Sequence, residues 1–446
     1  MTRLRVFFEQ RVVGTIDVDK GGPGFTYDPD WIDLKGAFPI STTMPLKSER
    51  IAPDIFLPWA ANLLPESEQL RTLGQLLGMA AGDVVGLLSA IGGDTAGALS
   101  IGQPGRTASV QWRPVGKPED LERIIEELPN KPFLVGEEGV SMSLAGAQTK
   151  LAVAVDDVGR VCIPMNGSPS THILKPDAPR LWGGVQNEAF CLTLARRMKI
   201  PTPSVTTGQA GKRTYLLVKR FDRTEVSGRW RRLHLEDYCQ VLGKLPSAKY
   251  ESNQTGLRGP TLKDMFEATR QHMAPTDIVR LLDMVVVNVL ACNTDAHAKN
   301  YSIMIRAGGA SLAPMYDLMC GEVWQNVTKN LAQRIAGNSR GDHLKGSHWH
   351  RFARECGLNP RQVLDRVGTL AKSALAEAEA AASEVAAMPA GAHVILDQTR
   401  QAVERRARAL LAQLQEFGSD PLAEAVDEEG TGRAEEEAEV VCSNLG

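Results

Sequence analysis

The chain has 446 residues, of which 43% are hydrophobic, and a formal net charge of -3. This length allows two or three domains with buried cores, and the small net charge excludes a general attraction to nucleic acid or to membrane surfaces. The seven cysteines form no C-x-x-C pair, so neither a disulfide framework nor a zinc site is predicted. No apolar run approaches the length of a membrane span and no signal peptide is recognisable, so we expect a cytoplasmic protein.

The first part of the chain predicts a mixture of short strands and helices. Apolar runs on either side of Glu9-Gln10-Arg11 indicate a β-hairpin, and apolar residues between Phe56 and Leu64 indicate a helix. The predicted elements are, in chain order, strands at 4–8 and 12–18, a helix at 56–64, strands at 98–101 and 110–115, and a helix at 118–128.

From Ser143 the pattern becomes clearer. Small residues at 143–150 predict a loop whose backbone N–H groups, with Lys150, could meet phosphate oxygens, although by chemistry alone it is a turn with a lysine. The elements predicted after this loop are strands at 151–155, 161–165 and 171–175, a helix at 185–198 and a strand at 215–219.

Two charged residues of these elements suit an ATP site. Such a site needs a lysine on a strand near the phosphates and a helix carboxylate that orients it. Lys175 ends one strand and Glu188 lies thirteen residues later on the next helix, so we predict that they pair. The alternative is a solvated strand-end lysine and a glutamate favoured by the helix dipole.

The second half of the chain is predicted to be mostly helical, from about 235 to about 416. Its clearest helix has apolar residues at i, i+3, i+4 and i+7 along 278–290, with Thr276 or Asp277 as the capping residue. Such a buried helix would hold the following loop, which contains Asp295, in a fixed position.

The run 293–300, followed by a hairpin and Asp317, contains the residue types that phosphoryl transfer needs. A carboxylate can accept or orient a hydroxyl proton, while an Asn and a second Asp can hold magnesium against phosphates. We therefore predict Asp295 as the base and Asn300 and Asp317 as metal ligands, brought together by the hairpin at 301–314. Alone, the spacing is weak, because Asp and Asn are also common turn residues.

Three further segments are ambiguous from chemistry alone. The strand end at 218–222 is where a hinge between two lobes would expose backbone to a purine, near Lys219 and Phe221. The basic cluster 229–232 could touch phosphate or tRNA, but a solvated loop is favoured. The acidic stretch 417–446 has no aromatic residue beyond Phe417 and is predicted to be disordered.

Several motifs, taken in order, carry a resemblance to a known family. They are Met44-Pro45-Leu46, Asn62-Leu63-Leu64-Pro65-Glu66, Ser143-Leu144-Ala145-Gly146-Ala147-Gln148-x-Lys150, Thr171-His172-Ile173-Leu174-Lys175-Pro176, Asn187-Glu188, Val218-x-Arg220-Phe221-Asp222-Arg223, Glu236-Asp237-x-Cys239-Gln240, Asp295-x-His297-x-Lys299-Asn300 and Tyr316-Asp317. With these motifs the chain resembles the HipA-type serine/threonine kinases, the toxins of type II toxin–antitoxin pairs.

The resemblance implies an α+β, two-lobed protein-kinase-like fold with a mixed α/β N-terminal region and an all-α C-terminal lobe. The expected domains are an N-terminal subdomain at 1–110, a kinase N-lobe at 111–236, a C-lobe at 237–416 and the acidic tail at 417–446.

The resemblance also implies roles for individual residues. They are Asp295 as catalytic base, Asn300 and Asp317 as magnesium ligands, Lys175 and Lys150 as contacts of the ATP phosphates, Glu188 as partner of the lysine, the hinge at Lys219 to Phe221 as contact of adenine, Gln240 as a residue lining the pocket, and Ser143 as an autophosphorylation site that switches the kinase off. Ser141 is a possible second phosphosite.

The expected partners follow from the same resemblance. They are an antitoxin similar to HipB, a helix-turn-helix dimer that binds operator DNA, and a protein substrate such as an aminoacyl-tRNA synthetase of the glutamyl type, whose phosphorylation would arrest growth and promote persistence. A kinase acting on another protein or a small molecule stays open. An inactive scaffold is disfavoured, because none of Lys175, Asp295, Asn300 and Asp317 is lost. A metal hydrolase using Asp295, His297 and Asp317 is disfavoured too, because the accompanying lysines and glutamate would then have no role.

Overall fold

A computed structural model describes residues 3–418 of the chain. The predicted acidic tail therefore lies, apart from residues 417 and 418, outside the described residues. No helix within 3–418 is long and apolar enough to cross a membrane.

Residues 3–102, here called the N-terminal unit, form an antiparallel four-stranded sheet covered by short helices. Phe25, Phe56 and Trp59 are almost fully buried in its core. The strands are β1 (Arg3–Phe8), β2 (Arg11–Asp19), β3 (Gly22–Tyr27) and β4 (Leu99–Ile101), in the order β3-β2-β1-β4, and the helices are α1 (Pro29–Ile32), α2 (Pro53–Ala61), α3 (Ser67–Leu77) and α4 (Val84–Ile91).

A six-stranded antiparallel sheet follows, and one long helix, α6, packs on it. The helix is buried along most of its length, because its face toward the sheet and its face toward the later helices are both covered. The elements are β5 (Gln111–Pro114), α5 (Pro118–Glu127), β6 (Leu151–Val155), β7 (Val161–Met165), β8 (His172–Pro176), α6 (Gly184–Arg197), β9 (Val205–Ala210) and β10 (Arg213–Lys219), with the sheet order β5-β7-β6-β8-β10-β9.

The remaining part of the chain is mostly helical. The helices are α7 (Tyr238–Val241), α8 (Leu262–His272), α9 (Pro275–Leu290), α10 (Gly346–Glu355), α11 (Pro360–Ala386) and α12 (Val394–Gly418). The strands are β11 (Arg223–Val226), β12 (Arg229–Arg232), β13 (His234–Asp237), β14 (Ser302–Arg306), β15 (Gly309–Leu312), β16 (Asn330–Ile335) and β17 (Asn338–Arg340).

The mixed α+β class is confirmed, but the C-terminal lobe is not all-α. β14 and β15 form the predicted hairpin, β13 joins them as a third strand, and β16 pairs with β17. These strands contain three to six residues each, too few to outweigh the long helices in a sequence pattern.

The predicted cap of α9 is also wrong. The helix begins at Pro275 after Ala274, and no side chain caps it. Proline suits this position because it lacks the N–H that would otherwise stay unpaired. Asp277 instead accepts from the N–H of Leu312 at 3.2 Å and pairs with Arg280 at 2.7 Å, so it ties α9 to the hairpin.

The basic cluster at 229–232 is only partly a solvated loop. Arg232 is buried and lies 3.4 Å from a carboxylate oxygen of Asp94. Trp230 makes an edge contact with Trp112, and Arg231 pairs with Glu9. Arg229 and Arg231 are exposed, however, so the segment is a strand of which one arginine is buried.

Arg232 belongs to a buried group of charges, here called the Asp94 cluster. Asp94 lies 2.7 Å from Arg223, and Asp222 lies 2.6 Å from Arg220 and 2.8 Å from Arg223. Burial raises the pKa of Asp94, but the three guanidinium groups outweigh burial and hold this pKa below its usual range. The cluster joins the N-terminal unit to the chain that leaves β10.

Candidate active site

A cavity of about 300 Å³ lies where the N-terminal unit, the six-stranded sheet and the helical part meet. The predicted site residues that line it are Lys150, Lys175, Glu188, Lys219, Phe221, Gln240, Asp295, Asn300 and Asp317. Ser143 and Ser141 are not in the wall. Residues from distant parts of the sequence are therefore brought to one site.

Lys175, at the end of β8, is the central cation of this cavity. Its Nζ donates to Glu188 Oε1 at 2.6 Å, as the sequence predicted, and to Asp317 Oδ1 at 2.5 Å. Burial lowers the pKa of Lys175, but the two carboxylates outweigh burial and raise it. Burial likewise works against the Asp317 carboxylate, yet Lys175 and Lys150 hold the pKa of Asp317 well below its usual range. Both groups are charged at neutral pH.

Lys150 is a second buried cation beside this pair. Burial lowers its pKa to about 8, Asp317 opposes this change, and the nearby Lys175 adds to it. Its Nζ donates to the carbonyl oxygen of Ala145 at 2.7 Å. A Cβ at Gly146 would lie 2.8 Å from this Nζ, and the φ of Gly146 is +103°, so only glycine fits the loop here. An anionic ligand would relieve the repulsion between the two lysines.

The loop after α9 is held by the amide side chains of two asparagines. Asn293 Oδ1 accepts from the N–H of Asp295 at 3.0 Å, and Asn300 Nδ2 donates to the carbonyl oxygen of Asp295 at 2.7 Å. The Asp295 side chain stays 64% exposed, facing the cavity. The surrounding walls nevertheless withdraw the carboxyl from water and so raise its pKa, and the charge of Asp317 raises this pKa further. The hydrogen bond from Tyr250 acts in the opposite direction and lowers it.

Asp317 has a strained backbone. Its φ is +56°. This left-handed conformation costs a residue with a Cβ atom roughly 1 kcal/mol or more. The preceding residue fixes this conformation, because the hydroxyl of Tyr316 donates to Lys299 O at 2.7 Å and lies 2.6 Å from Ser302 Oγ. Such strain is typical of residues whose carboxylate must point at a ligand.

The donor set suits magnesium, which takes one or two carboxylates and fills its other positions with phosphate and water oxygens. Asn300 and Asp317 supply an amide and a carboxylate in the same wall. Among residues 3–418, no group of three or more His, Cys, Asp and Glu side chains is placed to hold a metal by itself. His297 is buried, and burial together with Lys249 keeps its pKa well below the usual value, so its ring is neutral.

The hinge segment has part of its backbone already engaged. The N–H of Lys219 donates to Ser204 O and that of Arg220 to Thr171 O, each at 2.9 Å. A purine at this edge would therefore meet other backbone groups, such as those of Phe221. The apolar residues that line the cavity include Leu63, Ile173, Val218, Phe221 and Leu235.

Gln240 lines the cavity, but its side chain is used within the fold. Its Oε1 accepts from the N–H of Asp237 at 2.9 Å and its Nε2 donates to Trp59 O at 3.0 Å. Asp237 in turn accepts from the N–H of Gln240, which completes a capping box at α7. The structure thus gives Gln240 a supporting position in the wall.

Ser143 is fully buried, and its loop is held by the N-terminal unit. Ser143 Oγ donates to Leu63 O at 2.7 Å, the N–H of Glu66 donates to Gly146 O at 3.1 Å, and Gln69 Nε2 donates to Ala147 O at 2.9 Å. The half-buried Ser141 donates to Ala90 O at 3.1 Å. A kinase could reach Ser143 only after these bonds open.

Several residues around Asp295 were given no role by the sequence analysis. Lys299 Nζ donates to Asn62 Oδ1 at 2.6 Å and to Asp237 Oδ2 at 2.9 Å. Lys249 pairs with Glu66 at 2.7 Å, and the hydroxyl of Tyr250 donates to Asp295 Oδ1 at 2.5 Å. Of these residues only Lys299 could have been found from the sequence, because its charge lies within the run 293–300. Lys249 and Tyr250 lie in an irregular segment that matches no motif.

Comparison with known proteins gives two family matches. Residues 142–378 match the HipA-like C-terminal domain, and residues 4–102 match the HipA N-terminal domain. The chain is 36% identical over 381 residues to Y4mE of Sinorhizobium fredii, which covers 83% of this chain and 89% of that protein.

Two further similarities concern Shewanella oneidensis. The chain is 31% identical over 346 residues to the serine/threonine-protein kinase toxin HipA of that organism, covering 74% of this chain and 78% of the toxin. A solved complex of HipA, HipB and operator DNA from Shewanella oneidensis contains a chain that matches with a TM-score of 0.80 and 26% identity, covering 93% of this chain and 98% of that chain.

Proposed function

Because this chain belongs to the HipA family of kinase toxins of toxin–antitoxin systems, we propose that it is an ATP- and magnesium-dependent serine/threonine protein kinase. The observation that carries the proposal is Lys175, held between Glu188 and Asp317 in a cavity that also contains the exposed carboxylate of Asp295. A buried lysine on a strand, its helix carboxylate and a separate base are the parts that phosphoryl transfer requires.

Each residue of the wall has a task in this proposal. Bound magnesium-ATP supplies the phosphoryl group and neutralises charge on the phosphates. Asn300 and Asp317 hold the metal, and Lys175 and Lys150 place positive charge beside the phosphates. Asp295 accepts or orients the hydroxyl proton of the acceptor. The apolar residues of the cavity wall and the backbone at Phe221 accommodate adenine, and Gln240 lines the same cavity.

We also propose that autophosphorylation of Ser143 inactivates the enzyme. A phosphate there would add roughly two negative charges at a position where the hydroxyl is fully buried against Leu63 O. The loop 143–150 cannot keep its place with that group, so Lys150 would leave the cavity. Ser141 is a second candidate, because its hydroxyl is only half-buried.

The proposed partners are a HipB-like helix-turn-helix antitoxin dimer and, through it, operator DNA. The similarity to the chain solved together with HipB and operator DNA supports this proposal, and a net charge of -3 leaves DNA contact mainly to the antitoxin. The proposed substrate is a translation protein such as an aminoacyl-tRNA synthetase of the glutamyl type, with growth arrest and persistence as the result in the cytoplasm.

A kinase of the same fold that acts on another protein or on a small molecule, without a toxin role, is the second candidate. It is favoured by the composition of the cavity, because the residues described above fit nucleotide and metal rather than a particular acceptor.

The test is incubation of the chain with magnesium-ATP and a panel of tRNA synthetases, followed by mapping of phosphosites by mass spectrometry. We expect one synthetase and Ser143 to be labelled. Asp295→Asn should lower transfer by about 10²- to 10⁴-fold without loss of folding, whereas Asp157→Asn, in the exposed turn between β6 and β7, should have no effect. Wild-type transfer by Asp295→Asn would exclude Asp295 as the base.

A further inference from the structure

The phenol of Tyr250 is bonded to the carboxylate that we assign as the base. Its hydroxyl donates to Asp295 Oδ1 at 2.5 Å. Within residues 3–418 this is the one hydrogen bond that the structure shows to that carboxylate; His297 Nε2 lies farther away, at 4.0 Å from Oδ1. Without the phenol, the Asp295 carboxylate would have no bond to fix its direction.

The position of Tyr250 is fixed by the backbone on both sides. Lys249 O accepts from the N–H of Ala298 and from Gln333 Nε2, each at 3.2 Å, and the N–H of Glu251 donates to Ala332 O at 3.1 Å. The segment is thus tied both to the catalytic loop and to β16. The fold, rather than a chance side-chain rotation, places the phenol beside Asp295.

The ring of Tyr250 is also held between neighbours. It makes an edge contact with the ring of His297 at a centroid distance of 5.0 Å, and Lys249 Nζ lies 5.5 Å from its centroid. Removal of the hydroxyl alone would leave these ring contacts intact. The phenol can therefore be tested separately from the packing of the ring.

We infer that Tyr250 is a positioning residue that holds Asp295 Oδ1 and leaves Oδ2 for the hydroxyl of the phosphoryl acceptor. This inference rests on the proposed function, because it takes Asp295 as the base. A carboxylate has two oxygens that accept independently, so the phenol does not occupy the whole base. By fixing one oxygen, it removes rotations in which the other oxygen points away from the acceptor.

The experiment compares Tyr250→Phe, Asp295→Asn and the double variant, with radiolabelled magnesium-ATP and myelin basic protein as a generic acceptor. Tyr250→Phe should lower kcat about tenfold, the worth of a hydrogen bond to a charged group, with KM for ATP unchanged. In the Asp295→Asn background the same substitution should cause no further loss, because Tyr250 acts through Asp295. Tyr215→Phe, which removes a phenol outside the cavity wall, is the matched control.

The outcomes distinguish a failure of the Tyr250 inference from a failure of the proposed function. An unchanged or higher kcat in Tyr250→Phe, with transfer by Asp295→Asn lowered about 10²- to 10⁴-fold, would overturn the inference and leave the proposed function standing. An equal loss from Tyr250→Phe in both backgrounds would also overturn it, because the phenol would then act independently of Asp295. Wild-type transfer by Asp295→Asn would instead refute the proposed base, and the inference with it.

Discussion

At the scale of single residues, the site is a balance of buried charges. Lys175 has a carboxylate on either side, and the lysine side chain is only 8% exposed. Breaking such a buried pair by removing one partner is costly because the remaining charge loses its compensation. In the proposed kinase this arrangement links catalysis to stability, and a substitution of the lysine should affect both.

We expect Lys175→Met to abolish phosphoryl transfer and to lower the free energy of unfolding by about 3–5 kcal/mol at pH 7. The loss should be smaller at pH 5. Without the lysine, the pKa of Glu188, already raised by burial, rises further, and protonation relieves the unpaired charge. Chemical denaturation at both pH values measures the difference, and Lys212→Met, in the exposed turn before β10, is the control. An equal loss at both pH values would contradict this account.

Glu236 provides a second prediction that depends on pH. Its side chain is fully buried, and burial raises its pKa from 4.5 to about 7, although bonds from Thr42 oppose the change. A raised folded-state pKa gives stability that is complete below the unfolded value and is lost as pH rises toward 7. Glu236→Gln keeps an oxygen acceptor for Thr42. It should remove this loss of stability, at most about 3 kcal/mol between pH 4.5 and 7.

The measurement is a series of urea unfolding curves of wild type and Glu236→Gln between pH 5 and 8. The wild type should lose stability relative to the variant as pH rises. A constant difference across this range would show that Glu236 does not titrate within it.

At the scale of elements, the loop 143–150 and the segment 62–69 act as one unit. Three hydrogen bonds connect them, and one of these comes from the hydroxyl of Ser143. Ser143→Asp should therefore weaken ATP binding at least tenfold, because a buried charge without a partner destabilises the loop. Ser143→Ala, which loses one bond of about 1 kcal/mol, should bind ATP almost as well as wild type. Titration calorimetry distinguishes the two variants. Equal ATP affinities would refute the conclusion that the segment 62–69 holds the loop 143–150 in its nucleotide-binding position.

Elements with a strong local pattern were predictable from sequence. The strands at 151–155 and 161–165 have the predicted bounds, because five apolar residues lie between clear turns. The hairpin was predicted at 301–314 from its Gly308-Gly309 turn, and its strands lie at 302–306 and 309–312. The cap of α9 was not predictable, since the capping position is Ala274, whose side chain cannot accept a hydrogen bond. The pairing of β13 with β14 was not predictable either, because it joins segments more than sixty residues apart.

At the scale of the whole molecule, the Asp94 cluster connects the N-terminal unit to the hinge. We expect Asp94→Asn to lower the free energy of unfolding by about 3–5 kcal/mol, because three guanidinium groups lose a shared counter-charge. Asp120→Asn, at an exposed pair with Arg123, should change stability little. Denaturant unfolding compares the two variants, and an equal effect would mean that the buried cluster contributes no more than a surface pair.

Which residues would meet in the cavity was only partly predictable at this scale. Lys175, Glu188, Asp295, Asn300 and Asp317 could be chosen because their types and spacing suit one chemistry. The bonds from Asn62 and Glu66 to Lys299 and Lys249 could not. They cross more than 180 residues of sequence, and no local pattern specifies which distant lysine a carboxylate will meet.

The shared wall of the cavity has a thermodynamic consequence. If the bonds from 62–69 favour the loop conformation that receives nucleotide, then nucleotide must in turn favour those bonds by the same free energy, because coupling between two sites is reciprocal. A ligand or protein that pulls the N-terminal unit away would thus lower nucleotide affinity without touching the cavity. Conversely, saturation with nucleotide would strengthen the contacts between residues 4–102 and residues 142–378, the two segments that match family models.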